Sequence, residues 1–246
     1  MFRSVVVAAL FALAGGEALA AQPVRYSLDP VHTRVMFAVE HAGFSKAIGT
    51  VSGSTGTLVF DAVDWRVASV EVSVPLTRLD LGDGKWNTAA LANNLLDGDD
   101  FPVATFVSTR VEPVDAQHAA VYGMLTLHGV TNQVKLDVTL NAVKRHPLPP
   151  FRRTAGFSAT TMLSRKAFGI DAWPSVIGDR VELRIEAEAT RAGRADGDDT
   201  KDVDSEAGGA RPSPTETSAT ATSASEATTA EPPSPIETTS PPEPTP

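Results

Sequence analysis

Val181-Glu182-Leu183-Arg184-Ile185-Glu186-Ala187-Glu188-Ala189 alternates apolar and charged side chains without interruption. A β-strand turns successive side chains to opposite faces, so this run carries one dry face and one wet face. The pattern recurs along the chain. Val35, Phe37 and Val39 alternate with Arg34, Met36 and Glu40; Val70, Val72 and Val74 alternate with Ser69, Glu71 and Ser73. Val134, Leu136, Val138 and Leu140 alternate with Lys135, Asp137, Thr139 and Asn141. Less polarised stretches at 47–61, 103–112, 119–128 and 154–164, with Val24–Leu28 at the start, complete eight or nine expected strands. Asp61-Ala62-Val63-Asp64, Gly129-Val130-Thr131-Asn132 and Pro147-Leu148-Pro149-Pro150 separate them with turn chemistry.

Only 85–98 breaks the period. Trp86, Ala90, Leu91, Leu95 and Leu96 fall near helical spacing, with Gly82-Asp83-Gly84 before them and Gly98 after, which predicts one short amphipathic helix. An all-β chain whose strands each carry one apolar face buries those faces as a sandwich or as a sheet closed on itself with the helix at a mouth. Closure removes exposed edges and leaves room for a ligand inside. Periodicity alone leaves both solutions open.

The ends of the chain differ from this middle. Met1-Phe2-Arg3, an apolar run over 4–14 and Ala18-Leu19-Ala20 read as a secretory leader over 1–21, too short in its apolar part to span a bilayer. The mature protein is therefore expected to be exported and soluble. Residues 194–246 contain no Phe, Trp or Tyr, nine of the 18 prolines and a net charge of -8 out of -9 for the whole chain. Such a segment cannot bury enough apolar surface to offset its ordering entropy, so an acidic, disordered Pro/Ser/Thr/Ala-rich tail is expected, leaving one folded domain over 22–193. That domain is almost neutral, with no basic field for nucleic acid or anionic lipid. Zero cysteines exclude disulfides, thiolate chemistry and zinc-finger ligation.

Six motifs occur in order: Tyr26-Ser27-Leu28-Asp29-Pro30-Val31-His32; Phe37-Ala38-Val39-Glu40-His41-Ala42-Gly43-Phe44; Asp100-Phe101-Pro102-Val103-Ala104-Thr105-Phe106; Gly123-Met124-Leu125-Thr126-Leu127-His128-Gly129-Val130-Thr131; Ser164-Arg165-Lys166-Ala167-Phe168-Gly169-Ile170; and Val176-Ile177-Gly178-Asp179-Arg180-Val181. Together they resemble the YceI-like family over roughly Val24 to Thr190. The resemblance implies an extended, lipocalin-like antiparallel β-barrel whose apolar lumen holds a long-chain isoprenoid, a prenyl phosphate or a quinone. It also implies a membrane cytochrome b-type partner; the leader adds the expectation of a periplasmic location, and the protein is expected to be a monomer or homodimer. One departure from the family pattern is that Asn87-Thr88-Ala89-Ala90-Leu91 stands where many members carry an Arg-Asp-x-His-Leu-like stretch. A polar head-group contact from that position is not carried over.

The candidate ligand wall consists of Val35, Phe37, Val39, His41, Phe44, Trp86, Leu91, Leu95, Phe101, Phe106, Leu125, Phe157 and Phe168, with Arg165 as a mouth cation for a phosphate head group. No catalytic residue, metal site or cofactor is expected. Asp29, His32 and His41 lack metal-site spacing, and His128 reads as a hairpin residue. Gly53-Ser54-Thr55-Gly56 is not a nucleophile elbow, and no phosphate-binding glycine loop occurs. The leading expectation is an exported carrier. Two rivals are a lipid-acting hydrolase or isomerase using His32 or His41 as base, and a filled structural module whose tail is the working part.

Overall fold

The computed structural model describes residues 22–192; the expected leader over 1–21 and the tail over 194–246 lie outside the described residues. In chain order the strands are β1 (Val24–Leu28), β2 (Arg34–His41), β3 (Ser45–Ser52), β4 (Thr55–Phe60), β5 (Ser69–Pro75) and β6 (Leu79–Asp80). After the helix α1 (Gly84–Leu91) come β7 (Val103–Pro113), β8 (His118–Leu127), β9 (Val130–Arg145), β10 (Arg153–Ser164) and β11 (Ile177–Arg191). Short 3-10 turns occupy Trp65–Val67, Leu76–Arg78 and Lys166–Phe168.

All strands are antiparallel, in the order β1-β4-β5-β7-β8-β9-β10-β11, and β11 returns to β1. The sheet is a closed eight-stranded barrel, the second of the two solutions. The remaining strands extend three of these eight. β1 and β2 are one broken strand lying along β11, through Leu28↔Ala189 and Arg34↔Glu186. β4 and β3 follow them in the same way, through Ser27↔Thr57 and Arg34↔Ser52. β5 pairs with β4, while β6 pairs with β3 through Val51↔Leu79.

The expected single strand over 47–61 is therefore two. Gly53 sits at φ +80, a left-handed conformation that a continuing strand does not use, and the Arg78 side chain lies against it. The helix is also shorter than 85–98. Asp83 caps it by accepting hydrogen bonds from the amides of Lys85 and Trp86, and it stops at Leu91. Beyond that point Asn93-Asn94 favour turns over helix, and Gly98 donates back to the Leu91 carbonyl at 2.9 Å.

The two ends of the barrel differ. At the lower end, marked by Val24↔Phe60, the rings of Phe60, Trp65 and Phe157 meet edge to face, with centroids 5.2, 5.3 and 6.4 Å apart. Tyr26, Phe60 and Trp65 are buried there, and this aromatic cluster is the floor. At the upper end, marked by His41↔Ile177, pairing between β5 and β7 stops at Pro75↔Val103. Leu76 N donates to Pro102 O at 2.8 Å, and above it α1 and the segment 92–102 fill the seam between β6 and β7. Outside, the wet face carries ion pairs such as Arg184–Glu186 and Lys135–Asp137.

Candidate functional site

The apolar faces of the strands enclose a cavity of about 590 Å³, within the range of ordinary small-molecule sites. Val35, Phe37 and Val39 of β2 point into it, as the alternation requires, while Met36 between them is 39% exposed. The strand β11 behaves alike: Val181, Leu183, Ile185 and Ala187 line the cavity, and Glu182 and Arg184 do not.

Eleven of the fourteen expected wall residues line this cavity: Val35, Phe37, Val39, His41, Trp86, Leu95, Phe106, Leu125, Phe157, Arg165 and Phe168. Three do not. Phe44 lies in the turn between β2 and β3, past the reach of strand alternation, and is 92% exposed. Leu91 packs on Gly98, and Phe101 packs edge-on against His128 at 5.1 Å and over Gly129. These two brace loops at the mouth end and leave the wall to Leu95 and Leu96.

Arg165 requires a larger correction. It is 5% exposed, and its guanidinium is committed to backbone carbonyls. Nε donates to Gly178 O at 2.9 Å, Nη1 to Ile170 O at 3.0 Å, and Nη2 to Ala172 O and Ile177 O, both at 2.8 Å. The side chain ties the loop after β10 to the start of β11, so it is a buried clamp and not a free cation awaiting a phosphate.

The histidines take separate positions. His41 lines the mouth, its ring 5.3 Å from that of Trp86. His32 is exposed on the outside, with Nδ1 2.7 Å from Asp29 Oδ2. The hydrogen bond that the His32 ring donates to the Asp29 carboxylate, and the charge of that carboxylate, raise the His32 pKa above the ordinary histidine value. His128 holds the β8–β9 turn at φ +52, with Nδ1 3.2 Å from Phe168 O, a hairpin role as expected. Among the described residues no group of three His, Asp or Glu side chains is placed to hold a metal ion.

Two wall residues are not legible from strand alternation. Ser54 Oγ and Trp65 Nε1 are buried without a hydrogen-bond partner, and both residues line the cavity. Trp65 directly follows the Asp61–Asp64 turn, where period two gives no orientation. Ser54 occupies the break between β3 and β4, which the run over 47–61 conceals.

Comparison with known proteins agrees with this architecture. Residues 26–189 match the family described as the YceI-like domain. A UPF0312 protein of Pseudomonas savastanoi pv. phaseolicola is 31% identical over 179 residues, covering 73% of this chain and 91% of its own. The crystal structure of Burkholderia cenocepacia BcnA superposes with a TM-score of 0.59 at 23% identity, covering 66% of this chain and 99% of that one. A polyisoprenoid binding domain from Saccharophagus degradans, implicated in plant cell wall breakdown, gives a TM-score of 0.52 at 15% identity, covering 69% and 99%. With the family match extending from β1 into β11, the chain belongs to the YceI-like domain family.

Proposed function

We propose that this protein is an exported, periplasmic carrier that holds a long-chain isoprenoid in its barrel, and that it acts by binding and not by catalysis. The observation that carries the reading is the lumen: an apolar cavity lined from the aromatic floor to Trp86 at the mouth. The polyisoprenoid binding domain of Saccharophagus degradans, which shares the fold, supports the ligand class. Affinity comes from desolvation. Each buried CH2 contributes about 0.8 kcal/mol, and ordering a flexible chain offsets part of the sum. No observation favours the hydrolase reading, because His32 faces outward and His41 is packed on Trp86. A membrane cytochrome b-type protein is the proposed exchange partner, and no cofactor is needed for holding cargo.

Native mass spectrometry of the exported protein, followed by organic extraction, tests the reading. A co-purifying prenyl lipid is expected. Ala159 is buried in the lumen wall, and Ala159→Trp should exclude that lipid by filling the space it occupies. A small polar species, or an adduct unaffected by Ala159→Trp, would refute the carrier reading.

A further inference from the structure

The near-zero net charge of the folded domain conceals an uneven distribution along the barrel axis. Over the mouth, the segment 78–100 carries Asp80, Asp83, Asp97, Asp99 and Asp100 against Arg78 and Lys85. At the opposite end the hairpin of β9 and β10 carries Lys144, Arg145, Arg152 and Arg153, all exposed, with no Asp or Glu anywhere between Asp137 and Asp171. Exposed Arg191 and Arg25 adjoin it at the ends of β11 and β1. None of the four hairpin cations pairs with a carboxylate among the described residues. The acids at this end are engaged elsewhere: Asp61 is buried and accepts from Val63 N, Asp64 holds Arg66, and Asp115 holds His118. Arg145 stands directly opposite Arg153 in the ladder, and like charges so placed repel unless an anion lies over them.

The tip between these cations is apolar. Leu148 is 64% exposed and Phe151 50%. Phe151 also holds φ +56, a left-handed conformation that bulky side chains seldom adopt. The backbone of the tip has no amide hydrogen left for water. Pro147, Pro149 and Pro150 carry none; His146 N donates to Arg152 O at 2.8 Å, Leu148 N to His146 Nδ1 at 3.2 Å, and Phe151 N to Leu148 O at 2.9 Å. Unpaired N–H groups oppose entry into lipid, and residues 146–151 present none. A soluble polyanion would engage the cations alone and leave Leu148 and Phe151 in water. A bilayer takes both.

We propose that the hairpin of β9 and β10 docks the barrel on an anionic phospholipid surface. Leu148 and Phe151 enter the head-group boundary, while Lys144, Arg145, Arg152 and Arg153 meet the lipid phosphates. The field is local: charges beyond a Debye length of about 8 Å are screened, so the near-neutral total does not cancel it. The aspartates of 78–100 are repelled by the same surface, and the barrel stands on its floor with the mouth turned to the aqueous side. The inference goes beyond the carrier reading and stands without it.

Flotation with vesicles tests it, using the exported chain from residue 22 with its acidic residues 194–246 included. The vesicles are phosphatidylcholine alone, or phosphatidylcholine with an equal part of phosphatidylglycerol; soluble polyglutamate serves as the competing polyanion. Binding to the anionic vesicles is expected to be at least about 30-fold tighter than to phosphatidylcholine, and to be lost at about 1 M salt. Each of Lys144→Gln, Arg145→Gln, Arg152→Gln and Arg153→Gln should weaken it about 5-fold, and the four together should abolish the preference. Leu148→Ser/Phe151→Asn should weaken vesicle binding about 10-fold and leave polyglutamate binding unchanged. Asparagine suits the positive φ, so this variant keeps the fold. Lys85→Gln, at the mouth end, should change nothing. Equal affinity for the two vesicles, or no flotation with either, would overturn the proposal. Full vesicle binding by Leu148→Ser/Phe151→Asn would assign the cations to a soluble polyanion instead. A loss in Lys85→Gln equal to that in Arg152→Gln would overturn the orientation. Should the fourfold variant fail to fold, the single variants and the tip variant still decide it.

Discussion

The two sides of the barrel are built differently. β7 to β11 run unbroken for 11, 10, 16, 12 and 15 residues, whereas β1 to β6 span 8 residues at most and fall into three broken pairs. The breaks create two tiers. The lower tier, β1-β4-β5, is bonded to β11 on one flank and β7 on the other, so it completes the ring. The upper tier, β2-β3-β6, is bonded to β11 alone. Its free flank leaves the seam that α1 and the segment 92–102 occupy. One set of interruptions therefore yields both a closed floor and a mouth covered by a helix, which eight continuous strands would not provide.

If β11 is the sole ladder holding the upper tier, loosening the corner that feeds it should do the greatest damage. Arg165→Ala strands four carbonyls at that corner, and we expect a loss of at least about 3 kcal/mol in urea denaturation. Arg165→Lys should recover little, because one ammonium cannot reproduce the planar fork. A change below about 0.5 kcal/mol would mean that the loop holds without its clamp.

Within the upper tier, the face of β2 decides the next effect. Phe37→Asp puts an unpaired charge into the lumen and should cost about 3 kcal/mol or abolish folding, while Met36→Asp on the outer face should cost less than about 1 kcal/mol. Equal losses in thermal and chemical unfolding would mean that β2 is buried on both sides.

A smaller contrast sets one glycine from each side of the barrel against the other. A Cβ at Gly123 would meet the Phe106 ring and the Val107 carbonyl, the latter at 2.6 Å, whereas the nearest atoms to one at Gly49 belong to the Phe37 ring and the Leu81 side chain. Backbone in a continuous ladder yields less than a side chain does. Gly123→Ala should therefore cost about 2–3 kcal/mol and Gly49→Ala about 1 kcal/mol, the latter also narrowing the lumen as Phe37 moves. The opposite ranking in denaturation midpoints would show that the unbroken wall is the more adaptable side.

Alternation made much of this fold legible, because a period of two assigns a face wherever a ladder fixes the backbone. It put the Val35, Phe37 and Val39 face of β2 inside, where the structure has it, whereas Phe106, Leu125 and Phe157 stood in less polarised stretches to which it assigned no face. It had no purchase on Phe44, Leu91, Phe101 or Arg165, which lie in turns, a helix end or a loop, where long-range packing sets direction. The break at Gly53-Ser54 was hidden for a related reason: a glycine within a strand-like run does not announce its left-handed φ. Ser54 and Trp65 could be recognised as unpartnered only once their surroundings were known.

The smallest expected effect lies at the break between β1 and β2. There the Asp29 carboxylate accepts hydrogen bonds from the amides of Val31 and His32 and pairs with the His32 ring. Partial burial pushes the Asp29 carboxyl up, but the His32 ring and the two amides outweigh it and leave the pKa lowered. His32, raised by the same contact, contributes stability that is full below its unfolded value of about 6.5 and lost as pH rises through its folded pKa. Asp29 contributes above its unfolded value of about 3.9, and that contribution is lost as pH falls through its lower folded pKa. The pair therefore favours the folded state most between about pH 4 and 6.5. Asp29→Asn keeps an oxygen for the two amides and removes the charge. In an NMR titration it should return His32 toward the ordinary value, and the difference in thermal stability from the unsubstituted protein should be small and confined to that window. A His32 titration unchanged by Asp29→Asn would show that the ion pair plays no part in holding the break, leaving its geometry to the backbone hydrogen bonds alone.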